Sequence, residues 1–194
     1  MTSAESAHFE ADIIEICAAH RQTHRKDGDY RACVLFESTT NLAHEKYFIK
    51  FDSPDALRPE FLTQSYIYSI ATSHRSGGGG GAPRIPQALH YFEAENQAFL
   101  VMEHIELSNP LLITDLAEKT AEALHWLSQV PPPPEDDIDP TSKHMIGPVG
   151  GGLIRHSFFK NHTAPLHFSS VDALERYMNR VRRCPHFFKF LHSI

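Results

Sequence analysis

The sequence has few cysteines and no long apolar run, and both features restrict the class of protein. Cys17, Cys33 and Cys184 are an odd number without the spacing of a disulfide framework, which favours a reducing compartment. No apolar stretch reaches the roughly 20 residues that span a bilayer. The polar start, MTSAESAHFEAD, lacks the basic and apolar regions of a signal peptide. These features predict a soluble, cytoplasmic protein without membrane contact.

Positive charge is also in deficit. The chain has 18 lysines and arginines against 24 aspartates and glutamates, a formal net charge of −6. This balance argues against a general nucleic-acid-binding protein. With 41% hydrophobic and 22% charged residues, 194 residues suffice for one globular domain or two small lobes.

Hydrophobic patterning predicts helix and strand in a fixed order. Residues 1–29 contain an apolar stripe at helical spacing. Residues 30–107 contain the strands RACVLFES and KYFIKF, predicted to pair as antiparallel neighbours. A helix is expected to begin at Pro54 and to restart at Pro59, and two further strands flank the turn EAEN.

The third predicted segment, residues 108–194, is helical and rich in loops. LLITDLAEKTAEALHWLSQV forms an amphipathic pattern for which Thr114 is the expected cap. SSVDALERYMNRVRR follows as a basic helix with a serine cap. The glycine run in RSGGGGGAPRIP predicts a flexible connection, because no lysine–serine or lysine–threonine pair follows to complete a phosphate loop.

Lys50 is a cation within the otherwise apolar strand YFIKF. Strand alternation places Lys50 on the same face as Phe48 and opposite the other large apolar side chains. A buried ammonium group needs a partner, so Lys50 either extends to water from an edge strand or is held in place for a function. Glu60, at the start of the next helix, is a suitable partner. An ammonium group fixed in this way can hold the phosphates of a nucleotide.

The order and spacing of these segments resemble the small lobe of the protein-kinase-like fold. The series YFIKF, PEFLTQSYIYSIA and APRIPQALHYFEAENQAFLVMEHIEL carries the resemblance. The branch that it resembles is the aminoglycoside phosphotransferase and choline kinase group, in its fungal uncharacterised subfamily. IGPVGGGLIRHSFF and FSSVDALERYMN are similar to the early large lobe of that subfamily. The implied fold is α+β, a kinase-like small lobe with an antiparallel sheet and a packed helix, followed by an incomplete helical large lobe.

The resemblance implies an ATP site in residues 30–107. Lys50 resembles the lysine that contacts the phosphates, and Glu60 resembles its helix partner. The segment ESTTNLAHE takes the place of a glycine-rich loop but contains no glycine. Tight enclosure of the phosphates by this segment is therefore not expected.

The resemblance also implies an adenine pocket next to the strand LVMEHI, which is similar to the hinge between the lobes. Met102 would stand at the back of this pocket, and Phe48 would cover the base. The backbone carbonyl of Glu103 and the backbone N–H of Ile105 would meet the adenine edge.

The catalytic residues of the family are not found. Its reaction needs an aspartate at the acceptor hydroxyl, and an asparagine and a second aspartate that hold Mg²⁺. The sequence contains no H-x-D motif, and it stops at Ile194, about where that loop is expected. We interpret the chain as a truncated small-molecule phosphotransferase that retains its nucleotide lobe. ATP and Mg²⁺ are the cofactors expected from the family, and a hydroxyl compound is the acceptor at full length. The alternative is a non-catalytic, kinase-like module that binds a nucleotide or a partner.

Two other motifs have simpler explanations. Cys17, His20 and His24 share a helical face with spacings that suit zinc, although Cys17 also fits the apolar stripe. A basic set on the last helix could contact acidic partners or anionic lipid, but a solvated helix face explains it as well. This set is Arg176, Arg180, Arg182 and Arg183.

Overall fold

The chain is seen as a computed structural model that describes residues 3–27, 30–38, 45–76, 81–106, 108–109, 113–134, 146–156, 158–159 and 162–182. It consists of two compact units, Met1–Pro132 and Pro133–Ile194. The boundaries predicted after residues 29 and 107 stay predictions.

The described residues contain four helices and four strands, and the predicted α+β class is confirmed. The first unit contains α1 (Ser3–His24), β1 (Cys33–Ser38), β2 (Glu45–Asp52), α2 (Pro54–Ser76), β3 (Ala88–Ala94), β4 (Gln97–Glu103) and α3 (Leu116–Ser128); the second contains α4 (Val171–Arg182). Among the described residues, no helix combines the length and apolar character that a membrane span requires.

The four strands form one antiparallel sheet in the order β1-β2-β4-β3. The predicted pairing of the first two strands is confirmed. The hairpin between β3 and β4 turns at Glu95 (φ 51°) and Asn96 (φ 65°), and positive φ at both positions is typical of the two-residue turns that match strand twist. Strand β2 is interior, since β1 and β4 both pair with it. The edge-strand explanation for Lys50 is therefore wrong.

Helix α1 covers one face of the sheet and forms the larger of the two cores in this unit. Its fully buried members are Ile13, Cys17, Ile49, Phe51, Phe99 and Val101. The ring of Phe9 closes one end through edge contacts with Phe36 and Tyr47, at centroid distances of 5.8 and 5.5 Å. Burial of these side chains is the main force that joins α1 to the sheet.

Helix α2 covers the opposite face through a smaller cluster of Leu57, Ala98, Leu100 and Met102. It begins at Pro54 as predicted, and the Ser53 carbonyl accepts the N–H groups of Ala56 and Leu57 at 3.0 and 3.1 Å. The predicted restart at Pro59 is wrong, because one continuous helix includes it. The burial of Leu57, two residues earlier, holds the first turns against the sheet, which offsets the donor that proline removes.

Helix α3 lies on the first unit with no buried residue of its own. Its N-cap is Asp115, so the predicted cap at Thr114 is wrong, and no side-chain cap bond is formed. The α3 region contacts α2 at two places. The Tyr66 hydroxyl donates to the Pro131 carbonyl at 2.8 Å, and the ring of His74 meets the edge of Trp126.

The second unit is built around a small aromatic cluster. Phe159, Ala164 and Phe168 are buried, and Tyr177 of α4 packs against them. The predicted serine cap is confirmed at Ser170, whose hydroxyl accepts the N–H of Ala173 at 3.1 Å. This cluster fixes which face of α4 is turned away from solvent.

Candidate functional site

Lys50 and Glu60 form an ion pair between β2 and α2. The Lys50 ammonium donates to Glu60 Oε1, as the sequence predicted. In the sheet, Lys50 lies between Cys33 of β1 and Leu100 of β4. The pair therefore sits on an interior strand, on the face of the sheet that α2 covers.

Solvent reaches both members of this pair. The Lys50 side chain is 38% exposed and the Glu60 side chain 42% exposed. Exposed pairs of this kind contribute about 0–1 kcal/mol to stability, because water screens the attraction and ordering two long side chains costs entropy. The ion pair therefore contributes little to the stability of the fold. Its main consequence is a positive charge held at a fixed place that a solute can reach.

An exposed apolar surface lies beside the pair on the same face of the sheet. Leu35 of β1 is 58% exposed and pairs in register with Phe48 of β2. Strand alternation puts Leu35, Phe48 and Lys50 on one face. Leu35 is not recognisable as a site residue from the sequence alone, because only the strand register brings it next to Phe48.

Phe48 and Met102 are in the same apolar cluster. Met102 is buried and Phe48 is partly buried against the cluster, and the two residues are register partners on β2 and β4. Two of the residues predicted for the adenine pocket are therefore close in space. Their contact with an adenine base stays a prediction.

Glu103 ends β4 with both its backbone and its side chain engaged. Its N–H donates to the Gln87 carbonyl at 2.9 Å, and its carboxylate accepts hydrogen bonds from Arg84 and from the Gln87 N–H. The hydrogen bond from Arg84 holds the pKa of this carboxyl below its usual value. The predicted adenine contact uses the Glu103 carbonyl and the N–H of Ile105, a partly buried residue just after the strand. That contact stays a prediction.

A cavity of about 470 Å³ opens on the α1 face of the sheet. Phe9, Tyr47 and Val101 give it apolar walls, and His90 is one of its polar groups. The His90 ring already pairs with Glu10 at 2.8 Å. This cavity does not include Lys50, which lies on the other face.

The residues considered for zinc take other roles. Cys17 is 1% exposed within the α1 core, and burial raises the pKa of its thiol to about 12, which disfavours the thiolate that zinc requires. The His20 ring bonds the Arg31 carbonyl at 2.9 Å, and His24 pairs with Asp27 at 2.8 Å. In the described part of the chain, no group of three or more such side chains could hold a metal ion.

Together these features define an α+β unit whose four-stranded antiparallel sheet carries a solvent-accessible lysine–glutamate pair beside an exposed apolar surface. Comparisons with protein-family models, with curated proteins and with solved structures found no match. The resemblance to the kinase-like fold therefore stays a prediction from the sequence.

Proposed function

We propose that the Lys50 face of the sheet binds ATP, in a lobe related to the small-molecule phosphotransferases. The observation that carries the proposal is the Lys50–Glu60 ion pair, which joins an interior strand to the following helix. A lysine at this place is costly to order and gives little stability in return. A role in binding an anion explains why it stands there.

The phosphate end of the proposed site depends on Lys50. Glu60 accepts one of the three hydrogen bonds that an ammonium group can donate, so the other donors remain for phosphate oxygens. Hydrogen bonds between an ammonium group and phosphate are charge-assisted and stronger than neutral ones. Glu60 orients the Lys50 ammonium group, and its carboxylate balances part of the positive charge of that group.

The base end depends on apolar contact. Leu35 presents a large exposed side chain next to Phe48, and a flat base that covers it removes apolar surface from water. Lys50 is two residues from Phe48 on the same strand face. One small molecule with an aromatic base and a phosphate chain can contact both ends.

Magnesium does not fit a protein-held site in the described residues. They contain no suitable group of three ligands, and the Glu60 carboxylate is engaged with Lys50. Magnesium commonly enters nucleotide sites on the phosphates themselves, with several waters retained. The proposal therefore uses it only as the counter-ion of ATP.

We expect binding without turnover from these 194 residues. The sequence contains no H-x-D motif to supply the aspartate that orients an acceptor hydroxyl. Magnesium-dependent consumption of ATP by the purified chain would contradict this part of the proposal.

A non-catalytic partner-binding module is the second candidate, and α3 favours it. Leu124 is 62% exposed, and Leu116 and Leu127 are also exposed on this helix. Exposed leucines on one helix are typical of surfaces that bind other proteins. Under this alternative, nucleotide has no effect on the chain.

Thermal unfolding with and without Mg-ATP tests the proposal. ATP should raise the melting temperature of the wild type, because a ligand that prefers the native state stabilises it. Lys50→Ala should abolish the shift, and Glu60→Gln should reduce it. Lys119→Ala is the matched control, since Lys119 also pairs with a carboxylate, Asp115 at 3.1 Å, but lies on α3 and outside the proposed site. No shift in the wild type, or an equal loss in the Lys119 variant, would refute the nucleotide site.

A further inference from the structure

The second unit carries a groove that the proposed nucleotide site does not use. It has a volume of about 280 Å³ and lies along α4. Leu166, Phe168 and Tyr177 provide apolar walls, while Arg176 and Arg180 contribute positive charge. The lining of the groove therefore combines apolar and aromatic side chains with two cations.

The aromatic part of the groove is held in place by the core of the unit. Phe168 is buried, and its ring meets the ring of Tyr177 at a centroid distance of 5.3 Å. Tyr177 also contacts Phe159 at 6.1 Å. Leu166, at the groove wall, is 48% exposed. A ligand thus meets the partly exposed ring of Tyr177, which the buried Phe168 holds in place, and the exposed side chain of Leu166.

The two arginines are four residues apart on α4, and like charges at this spacing destabilise a helix by about 0.2–0.5 kcal/mol. Arg180 lies in the last turn of the helix, where the helix dipole favours a cation, so the repulsion is felt mainly at Arg176. Asp172 lies four residues before Arg176 and could pair with it, yet the described ion pairs do not include this one. Neither Arg176 nor Arg180 pairs with a described carboxylate. Both line the groove instead.

We propose that this groove binds a phosphate monoester attached to a small flat apolar body. Two guanidinium groups match the charge of a phosphate monoester, which is close to −2 at neutral pH, better than the single charge of a carboxylate. Guanidinium groups also bind phosphate oxygens in a two-pronged geometry. His167, which also lines the groove, adds a ring nitrogen. The apolar body lies on Tyr177 and Leu166.

Titration of the full ¹³C,¹⁵N-labelled chain with phenyl phosphate tests this site by NMR. The side-chain Nε–H signals of Arg176 and Arg180 and the ring signals of Tyr177 should shift together. Phenyl phosphate should bind more tightly than inorganic phosphate, which lacks the ring, and than benzoate, which lacks the second charge. Equal affinity for benzoate, or shifts that leave both arginines unchanged, would overturn the proposal.

Variants separate this site from general charge effects. Replacing both arginines by alanine should lower the affinity for phenyl phosphate by about tenfold or more. Replacing both by lysine should lower this affinity less. The control, Arg25→Ala with Lys26→Ala, removes the same charge from the first unit and should leave the affinity unchanged. An equal loss in the control would refute the site. In the arginine variants without ligand, unchanged Tyr177 ring signals show that the core has kept its packing.

Lys50→Ala distinguishes this groove from the proposed nucleotide site. Phenyl phosphate affinity should be the same in this variant as in the wild type, whether or not ATP binds the first unit. A loss of affinity in Lys50→Ala would assign the phosphate to the first unit and overturn the proposal for α4.

Discussion

The two faces of the four-stranded sheet differ in their side chains and in their exposure to solvent, although the same strands form both. On the α1 face, Ile49 and Phe51 of β2 are completely buried against Ile13 and Cys17. Lys50, which lies between Ile49 and Phe51 in the strand, is on the α2 face, where it is solvent-accessible and paired with a glutamate. One strand thus contributes to a closed core on one side and to a partly solvent-accessible surface on the other.

This difference separates stability from ligand binding at neighbouring residues. Substitutions that face α1 remove packing from a closed core, where surrounding atoms cannot fill the space. Substitutions at the exposed positions facing α2 change charge or surface with little loss of packing. Adjacent variants on β2 can therefore test the comparison directly.

The largest expected effect is at Phe51. Phe51→Ala should lower the free energy of unfolding by about 3–5 kcal/mol, because it opens a cavity in the α1 core. Leu35→Ala on the opposite face is the matched control and should change stability by less than about 0.5 kcal/mol. Urea unfolding followed by circular dichroism measures both. Similar losses in the two variants would break the distinction between the faces.

The next effect concerns the two described cysteines. Burial raises the pKa of Cys17 from 9.0 to about 12, which lowers its thiolate fraction by about a thousandfold. In a Cys184→Ser background, iodoacetamide at pH 8 should label the partly exposed Cys33 long before Cys17, as followed by mass spectrometry. Because the buried thiol binds its proton more tightly than the unfolded one, stability should also fall as the pH rises from 9 towards 12. Equal labelling rates would contradict a closed α1 core.

A smaller effect is expected at Glu103. Its folded-state pKa is lowered by Arg84, so the ionised form stabilises the fold above the unfolded pKa of about 4.5, and this contribution disappears as the pH falls through the folded value. Glu103→Gln should cost under about 1 kcal/mol at pH 7. The difference from the wild type should vanish under more acidic conditions, as measured by urea unfolding from pH 7 to pH 3. A difference that does not depend on pH would rule out this role for the charge.

The smallest effect on stability is expected at Lys50. Lys50→Ala should change the free energy of unfolding by no more than about 1 kcal/mol, because both partners of its ion pair are exposed. A loss as large as that of Phe51→Ala would show that Lys50 is a structural residue, and the contrast between the two faces would then fail.

Local signals in the sequence predicted much of this fold. The alternation in YFIKF separated Lys50 and Phe48 from Ile49 and Phe51, which face the α1 core, and the tight turn at Glu95 and Asn96 followed from EAEN. The Lys50–Glu60 pair was predictable because ten residues separate a strand from the first turns of the next helix. Each of these features depends on residues that are close in the chain.

Features that depend on distant residues were not predicted. The interior position of β2 required β4, which pairs with it from about fifty residues away. Leu35 joins the candidate site only through the register with Phe48. The continuity of α2 through Pro59 depends on the burial of Leu57 against the sheet, and sequence rules for proline do not include that contact.

Chemical footprinting of lysines tests the central claim most directly. The chain is acylated with and without Mg-ATP, and the labelling rates of Lys50 and of Lys119, which pairs with Asp115 on α3, are compared by mass spectrometry. The account predicts that ATP slows the labelling of Lys50 several-fold and leaves the labelling of Lys119 unchanged. Equal rates at Lys50 with and without ATP, or equal protection of both lysines, would contradict a nucleotide site on this face of the sheet.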